Sequence, residues 1–200
     1  MVYAGAERGP YGCPVSLVQW AESTGETWLA AALPRRWAHV QAVAAVAARL
    51  GAHLGEDGDT LVAAAWLHDV GYAPGLAMTG FHPLDGARFL RAEAAPRRLV
   101  DLVAFHSAAA TEADELGLSA ELAEFEDERS LTRDLLWYAD MTTGPDGQRM
   151  QFAERMAEVR ERYDSDHYVN RALDAGLDER EVAVARARSW IEGVGLVDHV

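Results

Sequence analysis

The sequence predicts an all-α fold in one domain, and three observations support this prediction. His39, Val43, Val46 and Leu50 recur at i, i+4, i+7 and i+11, which is the spacing of one helix face. Proline and glycine separate segments of this kind, and no segment alternates apolar and polar residues as a half-buried strand does. The length of 200 residues fits a single domain, and 50% hydrophobic residues suffice for a sizeable core.

Proline and glycine also set the expected helix boundaries. Residues 1–14 contain three glycines and two prolines, which predicts a loose N-terminal arm. A helix over 17–33 is expected to be interrupted at Ser23–Gly25 and to end at Pro34, because proline is tolerated in the first turn of a helix but not inside one. Further helices are expected at 35–50, 60–69, 82–93, 96–106, 131–140, 147–163, 167–175 and 178–193.

The expected single domain of 1–200 divides into a core, an acidic segment and C-terminal helices. We expect the core over 35–145 and additional C-terminal helices over 147–195. Residues 111–130 carry eight carboxylates and one arginine with weak periodicity, which predicts a solvated acidic face.

Composition excludes several kinds of functional site. The chain has no lysine, so its 18 basic residues are all arginine, and a P-loop lysine, a Schiff-base lysine and a lysine general base are excluded. Cys13 is the only cysteine, which excludes an internal disulfide and a four-cysteine zinc site.

The net charge and the hydropathy of the chain indicate which partners and which cellular location to expect. The net charge of −14 argues against nucleic acid or anionic lipid as a partner, since both favour a basic surface. The first residues do not resemble a secretory signal, and no apolar stretch reaches the ~18–20 residues of a membrane span. We therefore expect a cytoplasmic protein without a membrane partner. The oligomeric state stays open, because the C-terminal helices can pack on the core or on a second copy.

Polar residues at apolar helix positions are the most informative residues of the chain. His39, His68 and His106 each fall on the apolar stripe of a different helix. Asp140 ends a largely apolar helix, where both burial and the negative end of the helix dipole disfavour a carboxylate. A positive group must compensate for it. In a chain without lysine, that group is an arginine or a metal ion.

A metal site accounts for more of this pattern than an arginine does. Imidazole nitrogen and carboxylate oxygen suit Fe, Mn, Zn, Co and Ni, and side chains from several helices can converge in the core of a bundle. His68 and Asp69 are neighbours that point about 100° apart on a helix. At a helix end near Gly71, both can still reach one centre, and Asp69 has two oxygens with which to bridge two metals.

The ordered set His39, His68-Asp69 and Asp140 resembles the H…HD…D signature of the HD superfamily of metal-dependent phosphohydrolases. The segment from Leu67 to Tyr72 is similar to the "LHDxG" motif of that superfamily, and Ala139-Asp140 is similar to its terminal "AD". The resemblance spans roughly residues 35 to 145. It implies an all-α HD-domain bundle.

Two more histidines, His82 and His106, resemble the extra ligands of the two-metal subgroups, whose order is H…HD…H…H…D. The resemblance implies that one metal takes His39, His68, Asp69 and Asp140, and that the second takes Asp69, His82 and His106. Asp69 then bridges two divalent ions. Fe or Mn is favoured, and Co, Ni and Zn are compatible with the same ligands.

The resemblance implies a phosphohydrolase that cleaves a small phosphate ester or nucleotide with a hydroxide activated by two metals. Asp69 and Tyr72 are the expected catalytic residues. Arg36 precedes His39 by three residues on the same helix face, and Arg149 follows the loop after Asp140, so both are candidate phosphate ligands.

Two departures from the resemblance keep other functions open. Tyr72 stands where many two-metal relatives have lysine, and the "GYP" motif of cyclic-dinucleotide phosphodiesterases is missing. One alternative is a di-iron HD-type oxygenase that acts on a small organic substrate, because the same ligands serve both chemistries. The other is a catalytically silent ligand-binding module.

Overall fold

The computed structural model describes residues 15–196, and the arm predicted over 1–14 lies outside them. Within the described residues the chain is helical, without a strand, which confirms the all-α prediction. The helices are α1 Leu17–Gly25, α2 Pro34–Gly51, α3 Gly58–Leu67, α4 His82–Ala92, α5 Arg97–Ala104, α6 Ala109–Leu116, α7 Ser119–Leu122, α8 Leu131–Met141, α9 Phe152–Glu161, α10 Tyr168–Ala175 and α11 Leu177–Gly193.

Helix α3 lies at the centre of the core and contacts α1, α2, α5 and α8. Its sequence is apolar almost all round, as befits a helix with neighbours on every side. Leu61, Ala64 and Leu67 are fully buried. The residues that follow α3 therefore emerge in the middle of the protein, close to helices from distant parts of the sequence.

The expected interruption at Ser23–Gly25 is wrong. The chain passes from α1 into a π-helical turn, Glu26–Ala30, and Gly25 keeps helical angles (φ −58°, ψ −46°). A Cβ atom on Gly25 would lie 2.7 Å from the carbonyl oxygen of Trp66, so this glycine allows α1 to approach α3 closely. The glycine at position 25 is therefore required by the close packing of α1 on α3, and it does not break the helix.

The C-terminal third departs from the prediction at its start. The expected helix over 147–163 begins only at Phe152, because Thr143 and Arg149 first form an antiparallel β-bridge. Helix α11 packs on α8 of the core, and α10 packs on α6. The C-terminal helices thus lie against the core, and α9 to α11 border the site described below.

The acidic segment 111–130 is not simply a solvated face. It forms most of α6 and all of α7, and several of its carboxylates pair with arginines of α4 and α5. Glu124 contacts Arg88 and Arg91, each at 2.9 Å, and Glu128 lies 2.7 Å from Arg98. Within residues 15–196, no helix has the length and apolar character needed to cross a membrane.

Candidate metal centre

Four elements of the core place histidines at one centre. His39 lies on the buried face of α2, and His68 follows the last residue of α3. His82 is the first residue of α4, where Pro83 suits the first turn of a helix. His106 lies two residues beyond the end of α5, in a short 3₁₀ turn. All four rings point to a common site.

The turn after α3 depends on Gly71. Residues Val70–Tyr72 form a 3₁₀ turn that packs against the start of α4. A Cβ atom on Gly71 would lie 2.0 Å from the carbonyl oxygen of His82 and 2.6 Å from the backbone nitrogen of Gly86. Only glycine fits this contact, and the contact holds Asp69 and His82 next to each other.

The six predicted ligands form two groups. His39, His68 and Asp140 make up one group, and Asp69, His82 and His106 make up the other; in each group the potential ligand atoms lie within 4.8 Å of one another. No other group of three or more such side chains occurs in residues 15–196.

Asp69 lies between the two groups and faces both. Its Oδ2 is 3.4 Å from Nε2 of His68 and 3.9 Å from Nε2 of His39. Its Oδ1 is 3.4 Å from Nε2 of His82 and 3.9 Å from Nε2 of His106. Each carboxylate oxygen therefore serves one pair of imidazoles, which is the arrangement that a bridging ligand needs.

Backbone carbonyls select the tautomer of three histidines. The Nδ1 atom of His39 lies 3.0 Å from Gly144 O, that of His68 lies 2.8 Å from Ala65 O, and that of His106 lies 2.6 Å from Val103 O. A carbonyl oxygen only accepts hydrogen bonds, so each Nδ1 carries the proton. In the neutral rings each Nε2 then presents a lone pair to the centre, as in metal-binding histidines.

The Nε2 lone pairs lie close to other hydrogen-bond acceptors. Nε2 of His39 lies 3.4 Å from Nε2 of His68 and 3.1 Å from Oδ1 of Asp140. Burial lowers the pKa of His68, which favours the neutral ring with its lone pair exposed to this contact. Facing acceptors repel one another unless a cation lies among them. The donor set thus fits a divalent metal ion that prefers nitrogen and oxygen ligands.

The two carboxylates remain ionised despite their burial. Burial by itself raises the pKa of Asp69, but the Arg36 guanidinium and the surrounding imidazoles outweigh it and hold this pKa well below its usual range. Burial acts in the same direction on Asp140, but the neighbouring imidazoles of His39 and His68 and the Arg155 guanidinium outweigh it and lower this pKa. Both side chains are thus available as anionic ligands.

Ser107 holds the second oxygen of Asp140. Its hydroxyl donates to Asp140 Oδ2 from a backbone in the left-handed region (φ 56°, ψ 33°), and Ala108 shares that conformation (φ 57°, ψ 42°). Such a conformation costs about 1–2 kcal/mol for a residue other than glycine. Arg180 of α11, which is 5% exposed, donates to the Ser107 carbonyl and supports the turn.

Arg36 and Tyr72 lie beside this centre. Nη1 of Arg36 donates to Asp69 Oδ2 at 2.7 Å, and its guanidinium lies 3.9 Å above the ring of Tyr72. The other face of that ring stacks on His82, with ring centroids 3.9 Å apart. Burial raises the pKa of the Tyr72 phenol more than the Arg36 cation lowers it, so the hydroxyl stays protonated.

A cleft opens on the ligands, and α9 to α11 form one of its walls. Its floor includes the side chains of Asp69, His82, His106 and Asp140, with Arg36 and Tyr72 beside them. Sequence reasoning missed the wall residues Ser107, Glu112, Arg155, Arg162 and Arg180. A signal for Arg180 exists, since it precedes the stripe Ala183, Val184, Ala187 at helical spacing.

The structure does not bring Arg149 to this cleft. Arg149 is exposed and lines a separate depression with Tyr138, Thr142 and Arg188. The extended segment before α9 turns it away from the ligands, where the sequence predicted a helix. The structure therefore gives no support to the expected phosphate contact of Arg149, whereas it places Arg36 in the cleft.

Comparison with protein-family models identifies a family for this chain. A protein-family model described as HD domain matches residues 36–143, which is more than half of the chain and includes all six predicted ligands. Comparisons with curated proteins and with solved structures gave no match. The helices α9 to α11, which form one wall of the cleft, lie outside the matched residues.

Proposed function

The chain belongs to the HD-domain family, and on that premise we propose that it is a phosphohydrolase that uses two divalent metal ions to cleave a small phosphate ester or nucleotide. The observation that carries this proposal is the position of Asp69. Its two oxygens each face a separate pair of imidazoles, at 3.4 to 3.9 Å. A site that binds one ion does not need a carboxylate whose two oxygens face different pairs of histidines.

The residues that would hold the ions are the six described above. His39, His68 and Asp140 would hold one ion, His82 and His106 the other, and Asp69 both. When bound, the pair of ions supplies a hydroxide near neutral pH and positive charge beside a phosphoryl group.

Arg36 would orient the phosphoryl group. Nη1 is used by Asp69, and the structure gives Nε and Nη2 no hydrogen-bond partner among residues 15–196. Arginine presents its donors in a planar fork that matches two oxygens of a phosphate. With one edge of the guanidinium fixed on Asp69, the remaining donors are pre-oriented toward a substrate in the cleft.

Tyr72 would serve as a neutral donor. Its ring is fixed between Arg36 and His82, and its raised pKa keeps the hydroxyl protonated at neutral pH. In this position it can donate a hydrogen bond to a substrate oxygen, but it brings no charge. This role differs from that of a lysine, which would bring a full positive charge.

The charge of the cleft supports an anionic substrate. Arg36, Arg155, Arg162 and Arg180 line the cleft, although the whole chain carries a net charge of −14. The same cleft also holds the carboxylates of Asp69, Glu112 and Asp140, so its charged side chains are slightly positive in sum. In so acidic a chain, this balance favours an anion at this place over the rest of the surface.

Phosphate release from a panel of small phosphate esters and nucleotides tests the proposal. The protein is loaded with Mn²⁺ or Fe²⁺, and oxygen uptake is recorded in the same reactions. We expect phosphate release without oxygen consumption, and loss of turnover in Asp69→Asn together with a lower metal content. Asp59→Asn, which changes an exposed carboxylate on α3, is the control and keeps both.

Two results would overturn the proposal. Oxygen consumption coupled to substrate loss, without phosphate release, would assign the centre to oxygenase chemistry. Full phosphatase activity in Asp69→Asn would place the reaction elsewhere in the protein.

A further inference from the structure

Resting on the proposed function, we propose that the substrate carries a second anionic group, which binds Arg155 and Arg162 in the wall of the cleft away from the metal ligands. Both arginines belong to the α9 region, outside the residues that match the HD-domain model. The subsite is therefore a property of this chain's C-terminal helices.

Arg155 is a buried cation with free donors. It is 7% exposed, and its only described hydrogen bond runs from Nη1 to Glu158. The structure gives Nε and Nη2 no partner within residues 15–196, and the side chain lines the cleft. These two nitrogens are not among the enclosed polar atoms that lack a partner, so they reach the open space of the cleft, where an anion can replace water. Arg155 is thus prepared for an acceptor that enters the cleft.

Glu158 shows that an oxyanion fits between the two arginines. Its carboxylate accepts from Arg155 and also from Nε and Nη2 of Arg162, at 2.7 and 2.6 Å. The pair of guanidiniums therefore already has the spacing of a two-sided carboxylate clamp. One carboxylate leaves this pair of cations with a net positive charge, which a substrate anion can neutralise.

The clamp formed by Arg155 and Arg162 lies where two cavities meet. One is the cleft that opens on Asp69 and Asp140. The other is lined by Leu33, Arg35, His39 and Pro145, and both cavities share Arg36, Arg155 and Arg162. A molecule with its phosphate at the metal ligands can therefore extend to the clamp without leaving the cleft.

Apolar residues line the same cleft. Met156 and Val159 of α9 and Leu173 of α10 contribute to the wall from which Arg155 and Arg162 also project. Apolar surface suits the carbon skeleton of a ligand, and polar groups at defined points fix its orientation. The chemistry of the wall thus favours a small organic phosphate with a second oxyanion, either a carboxylate or another phosphate.

A matched series of substrates tests this subsite. Carboxyalkyl phosphates with two to five methylene groups are compared with alkyl phosphates of the same length, on the metal-loaded protein. We expect the carboxylated member of at least one pair to have a kcat/KM about tenfold or more higher, the size of one charged hydrogen-bonded contact. A bisphosphate of the same length then distinguishes a carboxylate subsite from a phosphate subsite.

Four variants identify the residues. Arg155→Gln and Arg162→Gln are expected to remove the preference for the carboxylated substrate. Arg160→Gln keeps it, since Arg160 pairs with Asp174 outside the cleft. Glu158→Gln removes the resident anion and is expected to strengthen the preference, a gain that a misfolded variant cannot give.

Calorimetric binding of the same compounds separates this inference from the proposed function. If no phosphate is released from any compound, the proposed function fails. Tighter binding of the carboxylated member that depends on Arg155 still supports the subsite. Equal kcat/KM and equal binding for every pair, or a preference unchanged in both arginine variants, would overturn the subsite.

Discussion

The guanidinium of Arg180 holds the carbonyl oxygen of Ser107 with two donors, Nε at 3.3 Å and Nη2 at 3.0 Å. Ser107 in turn donates its hydroxyl to Asp140, one of the six candidate ligands. Helix α11, which lies outside the family match, is thus linked to the metal centre through one strained turn. The C-terminal helices therefore support the centre in addition to forming one wall of the cleft.

Replacement of Arg180 tests this link. In Arg180→Met the Ser107 carbonyl loses both side-chain donors, and the carbonyls of Ala172 and Leu173 each lose one. We expect the free energy of unfolding to fall by about 2–4 kcal/mol and the affinity for Mn²⁺ to fall with it. Denaturant unfolding and metal titration measure the two effects. Arg188→Met, an exposed position on the same helix, should change neither.

Gly71 is the residue whose backbone contact is least tolerant of change. In Gly71→Ala the new Cβ atom meets backbone atoms of α4 at 2.0 and 2.6 Å, so the turn and α4 must separate. We expect a loss of about 2–3 kcal/mol in unfolding free energy and weaker metal binding, because Asp69 and His82 move apart. Thermal unfolding with and without Mn²⁺ records both. Gly193→Ala on α11, where a new Cβ would lie more than 4 Å from any other segment, should lower neither quantity.

The proposed role of Arg36 depends on the planar shape of its guanidinium as well as on its positive charge. Arg36→Lys keeps the positive charge but cannot donate to Asp69 and to a phosphoryl oxygen from one planar fork. We expect a fall of about 10- to 100-fold in kcat/KM with little change in metal content. Steady-state kinetics and elemental analysis check this result. Arg49→Lys, at the exposed end of α2, is the matched control; equal losses in both variants would contradict the assignment.

Asp57 gives a prediction for pH dependence away from the metal centre. Hydrogen bonds from Arg98 and Thr132 lower its pKa in the folded protein, although partial burial opposes them. A lowered pKa stabilises the fold at pH values above the unfolded pKa of ~4, and this contribution is lost as the pH falls through the folded pKa. The site is partly exposed, so we expect Asp57→Asn to cost only about 0.5–1 kcal/mol at pH 7.

Denaturant unfolding from pH 7 to pH 3 measures this contribution. The difference between the original protein and Asp57→Asn should shrink toward zero at the acid end. A difference that is constant with pH would mean that the loss comes from packing and not from the ion pair with Arg98.

The sequence was sufficient to predict the residues that form the candidate centre. His39, His68, His106 and Asp140 stand at apolar positions, where an unpaired polar side chain is costly, and this cost is a property of each helix on its own. The two oxygens of Asp69 already indicate that it can bridge two metals, but only the family resemblance predicts which imidazoles each oxygen faces. Its geometry depends on the close contact of Gly71 with α4, which the structure shows.

Helical periodicity in the sequence could not predict which residues form the walls of the cleft. Arg155 and Arg162 look like ordinary surface arginines on a helix that also holds Glu158, and only the packing of the C-terminal helices brings them to the cleft. Arg149 lies outside the cleft because it forms a β-bridge with Thr143, whereas the sequence predicts a helix from residue 147. These features depend on contacts between distant segments, which helical periodicity does not report.

Elemental analysis of the purified protein, without added metal or chelator, tests the central claim most directly. The two ligand groups joined by Asp69 predict two divalent ions per chain, with Asp69→Asn binding fewer and Asp59→Asn binding two. One ion per chain would confine the metal to a single group and contradict the bridging role of Asp69. No ion, even after reconstitution with Fe²⁺ or Mn²⁺, would contradict the metal centre itself.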